Sequence, residues 1–123
     1  MKHPERVEDY LEHIVEAIER VTAYIQEMDN VAALAHDHKT QAAVIRYIEI
    51  IGEAAGRIQN MAPGFVANHP GLPLIDMRGM RNKMIHGYFD VDLEVVWSTV
   101  QQDLPEVKRQ IDDLLIEYRR AKS

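Results

Sequence analysis

The chain has 123 residues, the length of one ordinary domain, and this predicts a single domain with one hydrophobic core over residues 1–123. It has no cysteine, no charged-then-apolar leader and no apolar run near the roughly 18 residues that span a bilayer. We therefore expect a cytoplasmic protein outside the membrane. The net charge of -6 argues against a protein that coats nucleic acid through a broad basic surface.

The charge is unevenly distributed along the chain. Residues 1–30 carry eight acidic side chains and only three basic ones. The segment 78–86, in contrast, contains Arg78, Arg81 and Lys83 and no acidic residue. If the protein binds an anion, we expect it to do so in this segment.

Apolar residues at three- and four-residue spacing predict two long amphipathic helices in the first half of the chain. The first stripe runs from Val7 to Met28, and the second runs from Ala42 to Met61. Asp37 or Thr40 is predicted to cap the second helix. Four small residues of this helix predict a close approach by a neighbouring helix: Gly52, Ala54, Ala55 and Gly56.

The second half of the chain predicts two further helices after a Pro/Gly-rich connection over residues 63–73. The third helix is predicted to begin near Pro73 and to stop at Gly87. A fourth helix should begin after a cap at Asp90 or Asp92.

Pro105 must kink or restart this fourth helix, because proline cannot continue the hydrogen-bond ladder. The apolar stripe resumes in phase beyond it, as far as Tyr118. No alternating strand pattern appears in the sequence. The predicted fold class is therefore all-α, an antiparallel bundle of four to five helices.

The end of the third predicted helix carries the residues best suited to chemistry. At 100° per residue, Arg78, Asn82 and His86 share one helical face, and Arg81 flanks them. Arginine matches phosphate oxygens, and histidine exchanges protons near neutral pH. Such groups suit an RNA phosphodiester, whose 2′-hydroxyl can attack the neighbouring phosphate without a metal. The alternative is that these side chains only interact with the last carbonyl groups of the helix.

The segment Arg81-Asn82-Lys83-Met84-Ile85-His86-Gly87-Tyr88 resembles the motif of HepT-like toxins in the HEPN superfamily. That motif is an arginine, four residues, a histidine, any residue and a tyrosine. Other segments are similar to the same family, in order along nearly the whole chain: 9–14, 48–55, 79–82, 88–92 and 96–97. The resemblance implies one HEPN-like domain.

The resemblance also implies a function and a set of roles. It implies a homodimer in which two copies of the third helix face a shared cleft, where RNA is cut without a metal or other cofactor. Arg81 would steady the phosphate, His86 would handle the proton, and Asn82 would orient His86 or the substrate. Arg78 is expected to support RNA binding.

Regulation follows from the same resemblance. Toxins of this family are typically encoded beside a minimal nucleotidyltransferase, the antitoxin, which transfers AMP from ATP to the motif tyrosine. Tyr88 is the matching residue. The predicted function is therefore a metal-independent endoribonuclease toxin that is neutralised by AMPylation of Tyr88.

Alternatives stay open from the residues alone. The chain could be a non-catalytic HEPN subunit that binds and scaffolds a nucleotidyltransferase, or a helical interaction module without nucleic acid. Tyr88 could simply pack over the helix end, and Arg78 could be an ordinary surface arginine. His36-Asp37-His38 could suggest a metal, but these side chains should diverge and no further ligand cluster accompanies them, so no metal site is predicted.

Overall fold

A computed structural model describes residues 6–86 and 90–122, and within these ranges the chain is all-α, as predicted. A π-helical turn, Thr99–Asp103, joins the helices Leu93–Ser98 and Leu104–Lys122 into one long unit. The bundle then consists of four long helical units with two short helices in the connections. The α-helices are α1 Val7–Ile25, α2 Val31–Ala35, α3 His38–Met61, α4 Pro63–Asn68, α5 Leu74–Met84, α6 Leu93–Ser98 and α7 Leu104–Lys122. None of the helices in these ranges is long and apolar enough to cross a bilayer.

The helices pack around one hydrophobic core. The central helix is α3, which contacts α1 on one side and α5 on another, while α7 packs against α1. Burying one large aliphatic side chain stabilises the fold by about 1.5–3 kcal/mol. The largest fully buried side chains come from all the long helical units: Leu11, Ile14, Ile18, Ile48, Ile51, Ile58, Leu74, Met77, Met84, Leu104 and Ile111, with Leu34 from α2.

Two predicted aspartate caps begin helices. The Asp37 carboxylate accepts hydrogen bonds from the Thr40 backbone N–H at 3.0 Å and from the Thr40 hydroxyl at 2.7 Å. The hydroxyl bond is the main reason why the pKa of Asp37 lies below its usual value. Asp92 caps α6 by accepting a hydrogen bond from the Val95 backbone N–H at 3.2 Å. Of the two candidates proposed for each cap, Asp37 and Asp92 are therefore the capping residues.

The structure differs from the predicted elements at several boundaries. The first helix ends at Ile25 and not at Met28, and the connection over residues 63–73 contains the short helix α4. The interruption expected at Pro105 takes the form of the π-helical turn, which ends at Asp103, two residues before the proline. There the Leu104 N–H donates to the Thr99 carbonyl, five residues back, so the chain passes the proline with one wider turn.

Candidate functional site

Helix α5 carries three of the predicted site residues on its solvent side. Its apolar stripe of Leu74, Met77, Met80 and Met84 is buried in the core. Arg78, Arg81 and Asn82 are exposed on the remaining surface of the helix. The amphipathic pattern thus fixes which face of α5 is available to a ligand.

A glycine of α3, Gly52, lies unusually close to the backbone of α5. A methyl group placed at Gly52 would lie 3.2 Å from the Met77 carbonyl oxygen and 3.3 Å from the Arg78 carbonyl oxygen. At Gly56 it would lie 3.4 Å from Nε of Arg78. The close approach expected from the small residues is confirmed at Gly52, whereas Gly56 has only the Arg78 side chain at ordinary contact distance. The backbone of α5 rests directly on α3, so the polar residues of α5 have a rigid support.

Arg81 forms an ion pair with a residue that the sequence reasoning did not select. Its Nε donates to Oε2 of Glu49, on α3, at 3.0 Å. The Glu49 side chain is 31 % exposed and the Arg81 side chain 47 % exposed. The only sequence signal was positional, because Glu49 lies three residues before Gly52 on the helix expected to accept a close neighbour.

Arg78 and Lys83 lie in different surroundings. Arg78 lines a shallow groove of about 360 Å³ with residues of α3, and its Nη1 donates to Oε1 of Gln59 at 3.5 Å. Lys83 lines a different groove, of about 450 Å³, which α5 forms with α6, the π-helical turn and α7. Lys83 therefore lies away from the Arg78 groove.

The predicted end of the third helix is wrong. The helix does not continue to Gly87 but ends at Met84, and Ile85 has an extended backbone that forms an antiparallel bridge with Val91. On one side of this bridge, the Asp92 N–H donates to the Met84 carbonyl at 2.7 Å. Backbone pairing with the residues that precede α6 replaces the last helical turn.

His86 is therefore not on a helical face with Arg78 and Asn82, which corrects the predicted alignment. It follows α5 on the bridge segment, its backbone N–H donates to the Asp90 carbonyl at 2.8 Å, and it is exposed. Within the described chain, no hydrogen bond joins His86 to Arg81 or Asn82, although all three face solvent near the end of α5. Tyr88, the predicted AMP acceptor, lies outside the described residues, as does Gly87.

The sequence His36-Asp37-His38 serves helix ends. Nδ1 of His36 donates to the Ala32 carbonyl at 2.7 Å at the end of α2, and Asp37 caps α3. Over residues 6–86 and 90–122, no three His, Asp or Glu side chains are grouped so that they could hold a metal ion.

Comparison with known proteins gives consistent similarities. The family described as Ribonuclease HepT-like matches residues 14–114. A probable ribonuclease HepT of Thermococcus cleftensis is 46 % identical over 106 residues, which are 86 % of this chain and 93 % of the relative. A candidate RNase of Caldanaerobacter subterraneus subsp. tengcongensis is 32 % identical over 106 residues, 86 % of this chain and 91 % of the relative. A Methanocaldococcus jannaschii protein, named as a gamma-glutamylcyclotransferase and candidate RNase, is 36 % identical over 121 residues, 95 % of this chain and 51 % of the relative. No solved structure matches significantly.

Proposed function

Because this chain belongs to the Ribonuclease HepT-like family of the HEPN superfamily, we propose that it is a metal-independent endoribonuclease and the toxin of a toxin–antitoxin pair. The observation that carries this proposal is the exposure of Arg81, Asn82 and His86 within six residues at the end of α5. The family match includes this segment, and the relatives named above carry ribonuclease names.

The proposed reaction needs only the RNA and these side chains. The 2′-oxygen forms a bond to the adjacent phosphorus, and the bond from phosphorus to the 5′-oxygen breaks, which leaves a cyclic phosphate and a 5′-hydroxyl. The 2′-hydroxyl loses a proton and the departing oxygen gains one, and His86 takes part in this transfer. Arg81 binds the phosphate oxygens, where negative charge builds, and Asn82 holds the substrate.

We further propose that the active form is a homodimer with the two α5 helices across a cleft. The outward face of α5 supports this arrangement because Ile75 is 73 % exposed, and seven residues later Asn82 returns to the same side of the helix. Two copies would double the cations presented to RNA, with Arg78 of each copy supporting binding. This matters in a chain of net charge -6, because phosphate contacts supply much of the affinity for nucleic acid.

The proposed regulation is AMPylation of Tyr88 by a cognate minimal nucleotidyltransferase. Tyr88 follows His86 by two residues, so an added AMP would place negative charge close to the proposed site. Such a charge would repel the RNA backbone, as phosphorylation does elsewhere. Incubation with the nucleotidyltransferase and ATP should add AMP to Tyr88, as read by mass spectrometry. Label on another residue, or equal label in Tyr88→Phe, would contradict this part of the proposal.

A cleavage assay tests the ribonuclease proposal. The purified chain should cut RNA in the presence of EDTA and leave a DNA of the same sequence intact. His86→Ala should lower the rate by about 10²-fold or more, the usual size of a general acid–base contribution. His38→Ala is the matched control, since His38 is also exposed but lies at the start of α3. Equal cleavage by the His86→Ala variant would exclude this site, and a strict requirement for added metal would exclude the metal-free mechanism.

A further inference from the structure

Glu49 has no role in the reaction described so far, yet it makes the one hydrogen bond of Arg81 to another side chain within the described chain. We infer that Glu49 is a positioning residue, which holds the Arg81 guanidinium in the orientation that binds the scissile phosphate. The inference rests on the proposed function, because it assigns a task to a second residue of the same site.

The register of α3 against α5 places Glu49 under Arg81. Gly52 lies under the carbonyl groups of Met77 and Arg78. One turn earlier on α3 is Glu49, and one turn later on α5 is Arg81, so the two helices run antiparallel at this point. The close contact at Gly52 therefore fixes the distance over which Glu49 and Arg81 meet.

The geometry of the ion pair suits an arginine that must bind a second anion. A guanidinium has five N–H donors in a planar fork, and Glu49 accepts its hydrogen bond from Nε. The Nη groups are not part of this bond and can form paired hydrogen bonds with two phosphate oxygens. Orienting the fork in advance reduces the rotamer freedom that Arg81 would otherwise lose on binding RNA.

A second interhelical ion pair serves as the control. Nη2 of Arg119, on α7, lies 3.3 Å from Oε1 of Glu12, on α1, and the two side chains are 62 % and 46 % exposed. Pairs at such exposure add little to stability, because water screens both charges. Glu12→Ala should therefore leave RNA cleavage within about twofold of wild type. A loss at Glu49 but not at Glu12 separates a role at the site from a general role of surface charge.

The test is a double-mutant cycle on the full chain, with cleavage of one RNA measured for wild type, Glu49→Ala, Arg81→Ala and the double variant. We expect Glu49→Ala to lower kcat by about tenfold, the size of one lost positioning hydrogen bond, and to have no further effect once Arg81 is alanine. Glu49→Gln keeps an oxygen that accepts from Nε and should recover most of the activity. Thermal unfolding, measured for every variant, identifies any loss of cleavage that comes from an unfolded chain. If Glu49→Ala is unfolded, the activity of the Glu49→Gln variant decides whether Glu49 positions Arg81.

The outcomes separate the two levels of the proposal. If wild type cleaves and Arg81→Ala does not, a Glu49→Ala variant as active as wild type overturns the positioning role. Higher activity in Glu49→Ala also overturns it, because Glu49 would then compete with RNA for the guanidinium. Equal losses from Glu49→Ala with and without Arg81 would show an effect independent of the ion pair. If wild type cleaves no RNA, or Arg81→Ala cleaves as wild type does, the proposed function fails and this inference fails with it.

Discussion

Arg20 and Arg81 both reach from a neighbouring helix to α3, but they are held in different ways. Arg20, on α1, donates to Glu16 of its own helix at 2.9 Å and to the Tyr47 hydroxyl of α3 at 3.3 Å. Its guanidinium also lies 5.9 Å from the centre of the Tyr47 ring. Among the described residues, Arg81 has no hydrogen-bond partner on its own helix, and Glu49 of α3 holds it through Nε.

The positions of the Arg20 and Arg81 guanidinium groups are determined by different parts of the fold. The Glu16 partner of Arg20 lies four residues away on the same helix, so that pair can form wherever α1 is helical. The position of Arg81 depends on the packing of α5 against α3, and that packing depends on Gly52. Arg20 is thus a surface arginine that helps to join two helices. Arg81, the proposed phosphate ligand, is oriented by the packing of α5 on α3.

The largest effect on RNA cleavage should come from replacing Arg81 with alanine, with the same replacement at Arg20 as the control. Arg81→Ala removes the proposed phosphate ligand and should lower the cleavage rate by about 10²–10³-fold, typical of a lost donor to a developing charge. Arg20→Ala should change the rate by less than about twofold, because it removes only exposed surface contacts. Initial RNA cleavage rates of the two variants, compared with wild type, test this difference. Similar losses in both would mean that the two arginines do not differ in function.

Much of this contrast could not be read from the sequence. Periodicity located the long helices, and side-chain chemistry reduced each of two helix caps to two candidates, because both signals are local. The end of α5 depends on the pairing of Ile85 with Val91, which leaves no periodic pattern in so short a segment. The helical projection therefore placed His86 on a helical face with Arg78 and Asn82, whereas His86 lies beyond the end of α5.

The candidate site shows the same limit. Arg78, Arg81 and Asn82 could be selected from residue type and family resemblance, and their exposure follows from the amphipathic pattern of α5. Glu49 could not, since its link to Arg81 spans 32 residues and requires the register of two helices. The small residues near Gly52 predicted that a helix would approach closely but not which helix or in what register.

Gly52→Val should disturb the packing of α5 on α3, which positions Arg81, and leave the contacts of Arg20 on α1 intact. Its Cβ would meet backbone carbonyl oxygens at 3.2 and 3.3 Å, which cannot move without shifting α5. We expect a loss of about 1–3 kcal/mol in the free energy of unfolding, together with reduced cleavage. Gly64→Val is the control, because a Cβ at that position meets no atom within 4 Å. Urea unfolding measures both variants, and an unchanged midpoint for Gly52→Val would contradict the proposed support of α5.

Alanine at Gly79 should have a smaller effect of the opposite sign. Gly79 lies inside α5, and a Cβ built there meets no atom within 4 Å, so the substitution adds helix propensity without a clash. The free energy of unfolding should rise by about 0.5–1 kcal/mol. If α5 faces its copy in the dimer, the added methyl group should also weaken self-association, which sedimentation measures on the same sample. A Gly79→Ala variant that is destabilised while its self-association is unchanged would contradict the expectation, because only a neighbour within the same chain could then meet the methyl group.

The smallest expected effect is a change in the pKa of Tyr47, which contacts Arg20. The Tyr24 hydroxyl first, and then the Arg20 guanidinium, hold the pKa of Tyr47 below its usual value by favouring the phenolate. Arg20→Ala should therefore raise the pKa of Tyr47, and Tyr24→Phe alone should raise it by a larger amount. Tyrosinate absorbance against pH measures both changes. Because the depressed pKa favours folding only where the phenolate forms, any accompanying loss of stability should appear in alkaline solution and be absent at neutral pH.

Arg109→Ala is the control for this titration, since Arg109 pairs with Glu106 and Asp113 and not with Tyr47 among the described residues. An unchanged pKa of Tyr47 in Arg20→Ala would mean that Arg20 does not act on Tyr47, and the contrast with Arg81 would then rest on Glu16 alone. A lowered pKa would mean that Arg20 disfavours the phenolate, which also contradicts the prediction.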